Sequence, residues 1–257
     1  MDYKNHIEDG NLKNYKTLFL VSSAIHTVHG VYSAEERLNQ TIKTFESIKS
    51  KDPDARILLV ESSSKESIID AESDLMKPYV EGILNFHPDQ QVQDIAKMSE
   101  KNWDVAKNLT ELIVFGKALD FIIRQQPALL EGIDRVFKLS GRYILNENFN
   151  MAIHLDPKMQ ESYIFAVRRA SQFPPQVTGG LTEQVMSRCW SWPTVKTAMI
   201  FFRYNVMIEH FIGMLSQQKY ADIEHLLLKY FGGPYMVEIP VIGVEGNLGP
   251  NGNLVKD

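Results

Sequence analysis

Short apolar segments alternate with amphipathic ones in the first half of the chain. The segments 17–25 and 56–60 are mainly apolar, which predicts two buried parallel strands. Between them, large apolar residues recur every three or four positions over 38–48, which predicts a helix with one buried face. Ser33 and Glu36 have the spacing of a capping box at the start of that helix. This order predicts a βαβ unit, whose crossover is expected to be right-handed.

The rest of the chain predicts further strands and helices in a less regular order. The other predicted strands lie at 79–86, 134–139, 162–169, 184–192 and 234–245. The other predicted helices lie at 65–76, 92–107, 108–123, 196–216 and 221–230. Together these elements predict an α/β fold in which a Rossmann-like mixed, mainly parallel sheet is flanked by helices.

The chain is expected to form a single domain. Its length of 257 residues is compatible with one α/β domain. We place this domain at 17–245, after an N-terminal extension of residues 1–16. The segment 246–257 is rich in Gly and Asn, and we expect it to be a flexible tail.

Composition and charge exclude several classes of protein. Hydrophobic residues make up 44 % and charged residues 23 % of the chain, which excludes a disordered, collagen-like or coiled-coil protein. The net charge is -5 and no run of Lys and Arg is present, so we expect no binding to nucleic acid. The lone Cys189 suits a reducing compartment. No apolar stretch reaches the roughly 18 residues of a membrane span, and no apolar signal segment is seen, so we expect a cytoplasmic protein without a membrane span.

Polar residues follow three of the predicted strands, at 22–26, 61–64 and 138–143. In open parallel sheets, ligands bind beyond the carboxyl ends of the strands. Because these ends meet at one edge of the sheet, their polar residues are expected to lie close together. This edge is the strongest functional signal in the sequence.

The segment 138–143 offers groups that suit a phosphate. Gly141 permits a close approach of the backbone to a ligand or a positive φ, and Ser140 offers a hydroxyl. Lys138 and Arg142 can neutralise phosphate oxygens, Arg as a two-pronged donor and Lys as a point charge. The alternative is an ordinary glycine turn with two solvated cations.

Two further charged residues are predicted near the same edge. Arg37 lies in the first turn of a helix, where free N–H groups already attract anions. The alternative is a surface arginine that pairs with Glu36 or another neighbour. Glu61 ends the second strand and is placed to accept hydrogen bonds from a ribose or a base. Alternatively, Glu61 caps a helix that starts near Ser64.

The late segment Asp222–His225 is a candidate for acid–base chemistry. On a helix, Asp222 and His225 share a face because they are three residues apart, while Glu224 points elsewhere. A carboxylate and an imidazole together can act as a general base or as metal ligands. The alternative is a chance pairing, since such spacings are common in helices.

Several motifs are absent from the sequence. We find no Gly-x-Gly-x-x-Gly, no Walker phosphate loop, no Gly-x-Ser-x-Gly nucleophile elbow and no Cys/His zinc spacing. These absences disfavour a Rossmann dehydrogenase, a P-loop NTPase, an α/β-hydrolase and a structural zinc protein.

The order and spacing of five segments carry a resemblance to a known family. The segments are Ser33-Ala-Glu-Glu-Arg37, Gln40-Thr-Ile-Lys-Thr-Phe-Glu-Ser-Ile48, Ile57-Leu-Leu-Val-Glu-Ser62, Phe137-Lys-Leu-Ser-Gly-Arg-Tyr143 and Ile223-Glu-His225. In this order they resemble nucleotide-sugar-dependent glycosyltransferases of the GT-A fold, in particular the glycosyltransferase-like proteins of bacterial surface-polysaccharide and viral genes.

The resemblance implies a GT-A-like fold with a nucleotide-binding half at 17–145 and an acceptor-side half at 146–245. It implies that Glu224 or His225 is the base near the acceptor hydroxyl, as an inverting reaction requires. The residues that it implies for the nucleotide-sugar site are Ser22, Ser23, Ala24, Arg37, Glu61, Lys138, Ser140, Gly141, Arg142 and Tyr143.

One departure from the family concerns its metal. These enzymes usually carry an Asp-x-Asp motif that binds a divalent metal on the diphosphate, and this chain has only Asn146-Glu-Asn148 nearby. No cofactor is therefore predicted with certainty, and Mn²⁺ or Mg²⁺ is what the family would use. Because cations can stabilise the leaving phosphate in place of a metal, we expect Lys138, Arg142 and Arg37 to do so.

These observations predict a glycosyltransferase that moves a sugar from a nucleotide-sugar donor to a glycan or related acceptor, without the usual Asp-x-Asp site. The alternative is a catalytically silent nucleotide- or glycan-binding module on the same fold. A nucleotidyltransferase would need a carboxylate pair for magnesium, which we do not find. The oligomeric state is left open.

Overall fold

The structure is a computed structural model that describes residues 16–99, 101–249 and 251–257. Residues 1–15 of the predicted N-terminal extension lie outside the described residues. The helices are α1 (Ala34–Lys51), α2 (Asp70–Met76), α3 (Gln90–Met98), α4 (Trp103–Arg124), α5 (Met151–Leu155), α6 (Pro175–Thr178), α7 (Thr197–Ser216) and α8 (Ile223–Phe231). The strands are β1 (Thr17–Ser23), β2 (Arg56–Glu61), β3 (Gly82–Asn85), β4 (Arg135–Ser140), β5 (Tyr143–Leu145), β6 (Tyr163–Ala166), β7 (Arg169–Ala170), β8 (Glu183–Gln184), β9 (Cys189–Pro193), β10 (Met236–Ile239), β11 (Val244–Asn247) and β12 (Leu254–Lys256).

A seven-stranded mixed sheet with the order β10-β6-β9-β4-β1-β2-β3 forms the centre of the fold. β9 runs antiparallel to β4 and β6, whereas the other neighbours pair in parallel. The apolar run of β1 lies between β2 and β4 and is buried on both faces, as expected for a central parallel strand. The predicted α/β class with a mixed, mainly parallel sheet in a single domain is confirmed. The edge at which β1, β2, β3, β4, β6 and β10 end is called the carboxyl edge below.

Helices and a small sheet cover the two faces of the central sheet. Residues of α3, α4, α7 and α8 pack with Leu18, Leu20 and Trp190 on one face. On the other face, Phe45 of α1 packs with Phe137 and with residues of β5 and β11. The alternation of side chains along each strand sends neighbouring residues into the two cores.

The helix α1 begins as the sequence predicts. The Oγ of Ser33 accepts a hydrogen bond from the backbone N–H of Glu36 at 3.2 Å, and the Glu36 carboxylate accepts one from the N–H of Ser33 at 2.7 Å. This capping box satisfies two donors at the start of the helix. The predicted apolar face, including Leu38, Phe45 and Ile48, is buried.

The chain from residue 246 onward differs from the expected flexible tail. β11 pairs with β5 and with β12 in a three-stranded antiparallel sheet, and Asp257 forms ion pairs with Arg169 and Arg188. A Cβ added at Gly246 would overlap the carbonyl of Arg142, so glycine permits the close pairing of β11 with β5. The glycines that suggest flexibility therefore serve a tight strand contact.

Other predicted elements differ from the structure in their bounds. In the predicted helix 65–76, only Asp70–Met76 is helical. The polar stretch 92–107 divides into α3 and the first turns of α4, because Asn102 caps a new helix by accepting from Val105 N. The predicted strand 184–192 also divides, into β8 and β9.

No helix in the described ranges is both long and apolar enough to cross a membrane.

Candidate functional site

The residues that end β1 hold the carboxyl edge together. The carbonyl of Ser22 accepts from Gly141 N at 2.7 Å, which joins β1 to the end of β4. The carbonyl of Ser23 accepts from the N–H and the hydroxyl of Ser62, each at 2.9 Å, which joins β1 to the end of β2. The structure thus brings the three predicted strand ends together.

Arg37 lies at this edge, but its side chain points into the protein interior. Its side chain is 7 % exposed, and its guanidinium donates to the carbonyls of His29 at 3.1 Å, Tyr32 at 3.4 Å and Ala24 at 3.5 Å. Burial and then the charge of Arg142 lower the pKa of Arg37 to about 10. Arg37 therefore holds the loop between β1 and α1. It is neither the expected phosphate ligand nor a surface arginine paired with Glu36.

Glu61 is also turned inward. Its side chain is completely buried, and its Oε1 accepts from Ile25 N at 3.1 Å and from the N–H and Oγ of Ser63 at 2.8 and 2.6 Å. Burial raises the pKa of Glu61, although the hydrogen bonds from Ser63 oppose this rise. Because its Oε1 joins the loops after β1 and β2, the expected contact to a ribose is not supported. The alternative of a helix cap near Ser64 is wrong, since α2 begins at Asp70.

Lys138 is committed to an internal network. Its side chain is 1 % exposed, and its Nζ donates to Glu111 Oε1 at 2.9 Å, Ser140 Oγ at 2.8 Å and the carbonyl of Ser187 at 2.8 Å. These contacts use all three donors of the ammonium group. Burial alone would raise the Glu111 pKa, but the charges of Lys138 and Lys107 hold it below its usual value. The expectation that Lys138 meets a phosphate is therefore corrected, and Ser140 serves as its acceptor.

Gly141 and Tyr143 also make close contacts within the protein. A Cβ added at Gly141 would lie 3.2 Å from both the carbonyl of Ser22 and Thr41 Oγ1, and Gly141 does not adopt a positive φ. The close approach that this glycine permits is therefore to β1 and α1. Tyr143 is buried, and its hydroxyl accepts from Arg188 Nε at 3.3 Å.

Of the three predicted cations, Arg142 is the one whose guanidinium is not bound by other described residues, unlike Arg37 and Lys138. Its side chain is half-buried, and its guanidinium has no hydrogen bond or ion pair with any residue that the structure describes. The backbone of Gly249 lies directly against this guanidinium, because a Cβ added there would overlap it. The charge of Arg142 also lowers the pKa of Arg37, which shows that the two groups lie near each other.

Lys107 is a second cation at this edge, and it is not among the site residues predicted from the sequence. Its side chain is exposed and makes no ion pair within the described part of the chain. Desolvation lowers the Lys107 pKa, but the carboxylates of Glu224, Glu111 and Asp222 outweigh this and raise it. A signal was available in the sequence, because Asp104, Lys107 and Glu111 occupy one polar face of α4.

The predicted pair Glu224 and His225 is separated by the structure. Glu224 lies at the carboxyl edge, where its Oε1 accepts from Ser187 Oγ at 2.6 Å, and burial raises its pKa although Lys107 opposes the rise. His225 is completely buried, its Nε2 is 2.8 Å from Ser171 Oγ, and burial lowers its pKa. Only Glu224 therefore faces the other charged groups of the edge.

Asp222 and His225 lie near each other, as expected, but the Asp222 carboxylate has other hydrogen-bond partners. Asp222 is the N-cap residue of α8, and its carboxylate accepts from the Tyr220 hydroxyl at 2.6 Å and from Gln172 Nε2 at 2.7 Å. Its carboxylate therefore points to partners other than His225.

The segment nearest to an Asp-x-Asp motif begins with a residue that already has hydrogen-bond partners. Asn146 Nδ2 donates to Glu245 at 3.3 Å and Asn146 Oδ1 accepts from Asn148 N at 2.9 Å, so Asn146 is already satisfied. No group of three His, Cys, Asp or Glu side chains is placed to hold a metal within the described ranges. Lys107 and Lys138 lie beside the carboxylates of the edge, which opposes the binding of a further cation.

Comparison with solved structures identifies the fold. No protein-family model matches the sequence, and no curated protein matches it. A crystal structure of the galactosyltransferase LgtC in complex with donor and acceptor sugar analogues matches 87 % of this chain and 72 % of that chain, with a TM-score of 0.50 and 9 % identity. The chain has a GT-A-like glycosyltransferase fold. An active-site mutant of LgtC matches with a TM-score of 0.49, 9 % identity and the same coverage of both chains. The apo form of mouse xyloside xylosyltransferase 1 matches with a TM-score of 0.41 and 9 % identity over 88 % of this chain and 84 % of that chain.

On this GT-A-like fold, the carboxyl edge carries a small charged cluster. Arg142 follows β4, Lys107 and Glu111 come from α4, and Glu224 comes from α8. Their mutual effects on pKa show that these groups lie near one another. The arrangement offers two cations to an anion and one carboxyl group whose pKa lies above its usual value.

Proposed function

We propose that the protein transfers a sugar from a nucleotide-sugar donor to a glycan acceptor. The GT-A-like fold supports this proposal, because it is the fold of the matching galactosyltransferase. The observation that carries it is the pair of cations at the carboxyl edge, Arg142 and Lys107, neither of which has an ion-pair partner in the described chain.

In this proposal the two cations bind the diphosphate of the donor. A guanidinium binds phosphate oxygens in a two-pronged manner, and an ammonium acts as a point charge. Arg142 and Lys107 thus take the role that the sequence analysis gave to Lys138, Arg142 and Arg37. They stabilise the negative charge that develops on the leaving diphosphate, as a metal does in other transferases.

Glu224 is proposed as the base of the reaction. The oxygen of the acceptor hydroxyl forms a bond to the anomeric carbon, and its proton passes to the Glu224 carboxylate. The bond from the anomeric carbon to the diphosphate oxygen breaks, and its electron pair leaves with the diphosphate. A carboxyl group with a raised pKa is a stronger base than an ordinary glutamate, so burial of Glu224 suits it for this step.

Isothermal titration with UDP, GDP and CMP, with and without Mn²⁺, tests donor binding. We expect one nucleotide to bind, and Arg142→Gln to weaken its binding at least about tenfold, the loss of one charge-assisted contact. Arg124→Gln is the matched control, because Arg124 is exposed and pairs with Asp120 far along α4. Failure of all three nucleotides to bind contradicts the proposal.

A turnover assay distinguishes a glycosyltransferase from a catalytically silent binding module. Release of the nucleotide from UDP- and GDP-sugars is measured for the unmodified protein and for Glu224→Gln. We expect the variant to bind nucleotide normally and to lose turnover. Nucleotide binding without turnover in the unmodified protein favours the binding module.

A further inference from the structure

Two adjoining cavities lie along the outer face of α8. The first has a volume of about 160 Å³ and reaches from the loop after α6 to the last turns of α7. The second has a volume of about 390 Å³ and reaches toward β8. Both are lined by Leu181 and Lys229, so the two cavities meet at these side chains. Together they are called the α8 groove.

The groove follows one face of α8, and Glu224 lines neither of its two cavities. His225, Leu228, Lys229 and Gly232 line it, and their spacing places them on one face of α8. Leu228 is four residues after Glu224, so these two side chains are neighbours one turn apart on α8. Because α8 rises about 1.5 Å per residue, the lining from His225 to Gly232 covers about 10 Å along the helix axis.

Glycines leave space in the groove. A Cβ added at Gly213 on α7, or at Gly180 or Gly233, meets no heavy atom within 4 Å. Gly213 has no positive φ, so a larger side chain is tolerated there by the backbone. The space above these residues is therefore open to a ligand.

The first cavity is positively charged. Lys219 and Lys229 line the first cavity, whose lining contains no Asp or Glu, and neither lysine has a carboxylate within ion-pair distance in the described ranges. Lys229 Nζ lies 3.3 Å from His210 Nε2, and burial together with the Lys229 charge lowers the His210 pKa. An imidazole carries no negative charge, so His210 leaves the lysine charge uncompensated.

The carbonyl of Met214 at the C-terminus of α7 does not need either lysine side chain as a hydrogen-bond donor. The carbonyl of Met214 at the end of α7 already accepts from the N–H groups of Gln217 and Lys219. Lys219 Nζ is 3.5 Å from Gln217 Oε1, too long for a strong hydrogen bond. Both ammonium groups thus have donors to offer to a ligand.

The second cavity is polar, and apart from Lys229, which it shares with the first, its lining charges are paired. Arg168 lines the second cavity, but it is paired with Glu183 at 3.4 Å and with Glu238. Glu183 and Thr182 are exposed and offer hydrogen-bond acceptors and donors to hydroxyl groups. This part of the groove suits a neutral sugar.

We propose that the α8 groove binds the acceptor, and that this acceptor is an oligosaccharide with a carboxylate or sulfate group held by Lys219 and Lys229. Its neutral part lies along Leu228 and Glu183 with the reacting hydroxyl toward Glu224. The assignment as an acceptor site depends on the proposed transferase function, whereas binding of an acidic oligosaccharide is measurable without it.

Isothermal titration with trigalacturonate and a sulfated chondroitin disaccharide tests the groove, with maltotriose as the neutral probe and inorganic phosphate as the anion without sugar. We expect at least one acidic oligosaccharide to bind more tightly than maltotriose and phosphate. The double variant Lys219→Gln plus Lys229→Gln should weaken that binding at least about tenfold. The control Lys43→Gln plus Lys158→Gln removes the same charge from exposed positions outside the groove and should change it less than about twofold.

A second variant tests whether the ligand occupies the first cavity. Gly213→Leu fills the first cavity and should abolish binding of the acidic oligosaccharide while leaving nucleotide affinity unchanged. The proposal is overturned if no acidic oligosaccharide binds better than maltotriose, if phosphate alone binds equally well, or if both double variants lose affinity equally. Nucleotide binding that depends on Arg142 distinguishes this failure from a failure of the transferase proposal.

Discussion

The ammonium of Lys138 lies 2.9 Å from the carboxylate of Glu111, and this ion pair joins β4 to α4 beneath the carboxyl edge. The lysine is 1 % exposed, whereas Lys107 on the same helix as Glu111 is exposed and without an ion pair in the described chain. One lysine thus stabilises the fold, and the other is the lysine that we propose to bind the donor. The distinction depends on burial, because Lys138 lies inside the protein and Lys107 reaches its surface.

Loss of the Glu111 carboxylate should destabilise the protein. Glu111→Gln leaves a buried ammonium without its counter-charge, which typically costs about 3 kcal/mol of unfolding free energy. Urea denaturation at pH 7 measures this. Lys138→Met should also destabilise the fold, yet change nucleotide affinity less than about twofold, since Lys138 is no ligand. A loss of affinity as large as that of Arg142→Gln would show that Lys138 does contact the donor.

Glu224 should make the stability of the protein depend on pH. Burial raises its pKa in the folded state above the ordinary value of 4.5, so its ionised form is disfavoured by folding. Its contribution to stability is present at low pH and is lost as the pH rises through the raised pKa. Glu224→Gln cannot ionise, so we expect it to be more stable than the unmodified protein at pH 8 and to lose this advantage near pH 4. Urea denaturation at both pH values checks the sign.

The two glycines Gly246 and Gly213 should respond in opposite ways to alanine. A Cβ at Gly246 overlaps the carbonyl of Arg142 and the ring of Tyr143, so Gly246→Ala should lose about 1–3 kcal/mol of stability. Gly213 is helical with open space at its Cβ, so Gly213→Ala should gain about 0.5 kcal/mol. Thermal unfolding of both variants compares them. Equal effects would mean that β11 does not pair closely with β5.

Arg37 should control the loop between β1 and α1. Arg37→Gln removes donors from the carbonyls of Ala24, His29 and Tyr32, and the loop should therefore open more often. Hydrogen exchange of residues 27–32 should be faster in the variant, while exchange in β2 stays the same. Nucleotide affinity should fall less than in Arg142→Gln. Unchanged exchange in the loop would contradict this role.

Much of the fold follows from local sequence patterns. The apolar runs of β1 and β2 predict buried parallel strands, and the spacing of Ser33 and Glu36 predicts the start of α1, because these signals depend on residues close together in the chain. The prediction that candidate site residues lie beyond the strand ends comes from the same pattern, and it includes Arg142.

The tertiary structure determines which charged side chains are buried and which partners they have. The sequence shows which residues are charged but not which helix packs against which strand, so it could not reveal that Lys138 meets Glu111 or that Arg37 meets three carbonyls. Likewise, glycine and asparagine after residue 246 suggest flexibility until the partner strand is known. Burial and partners depend on long-range contacts, and these distinguish a structural cation from one that is free to bind a ligand.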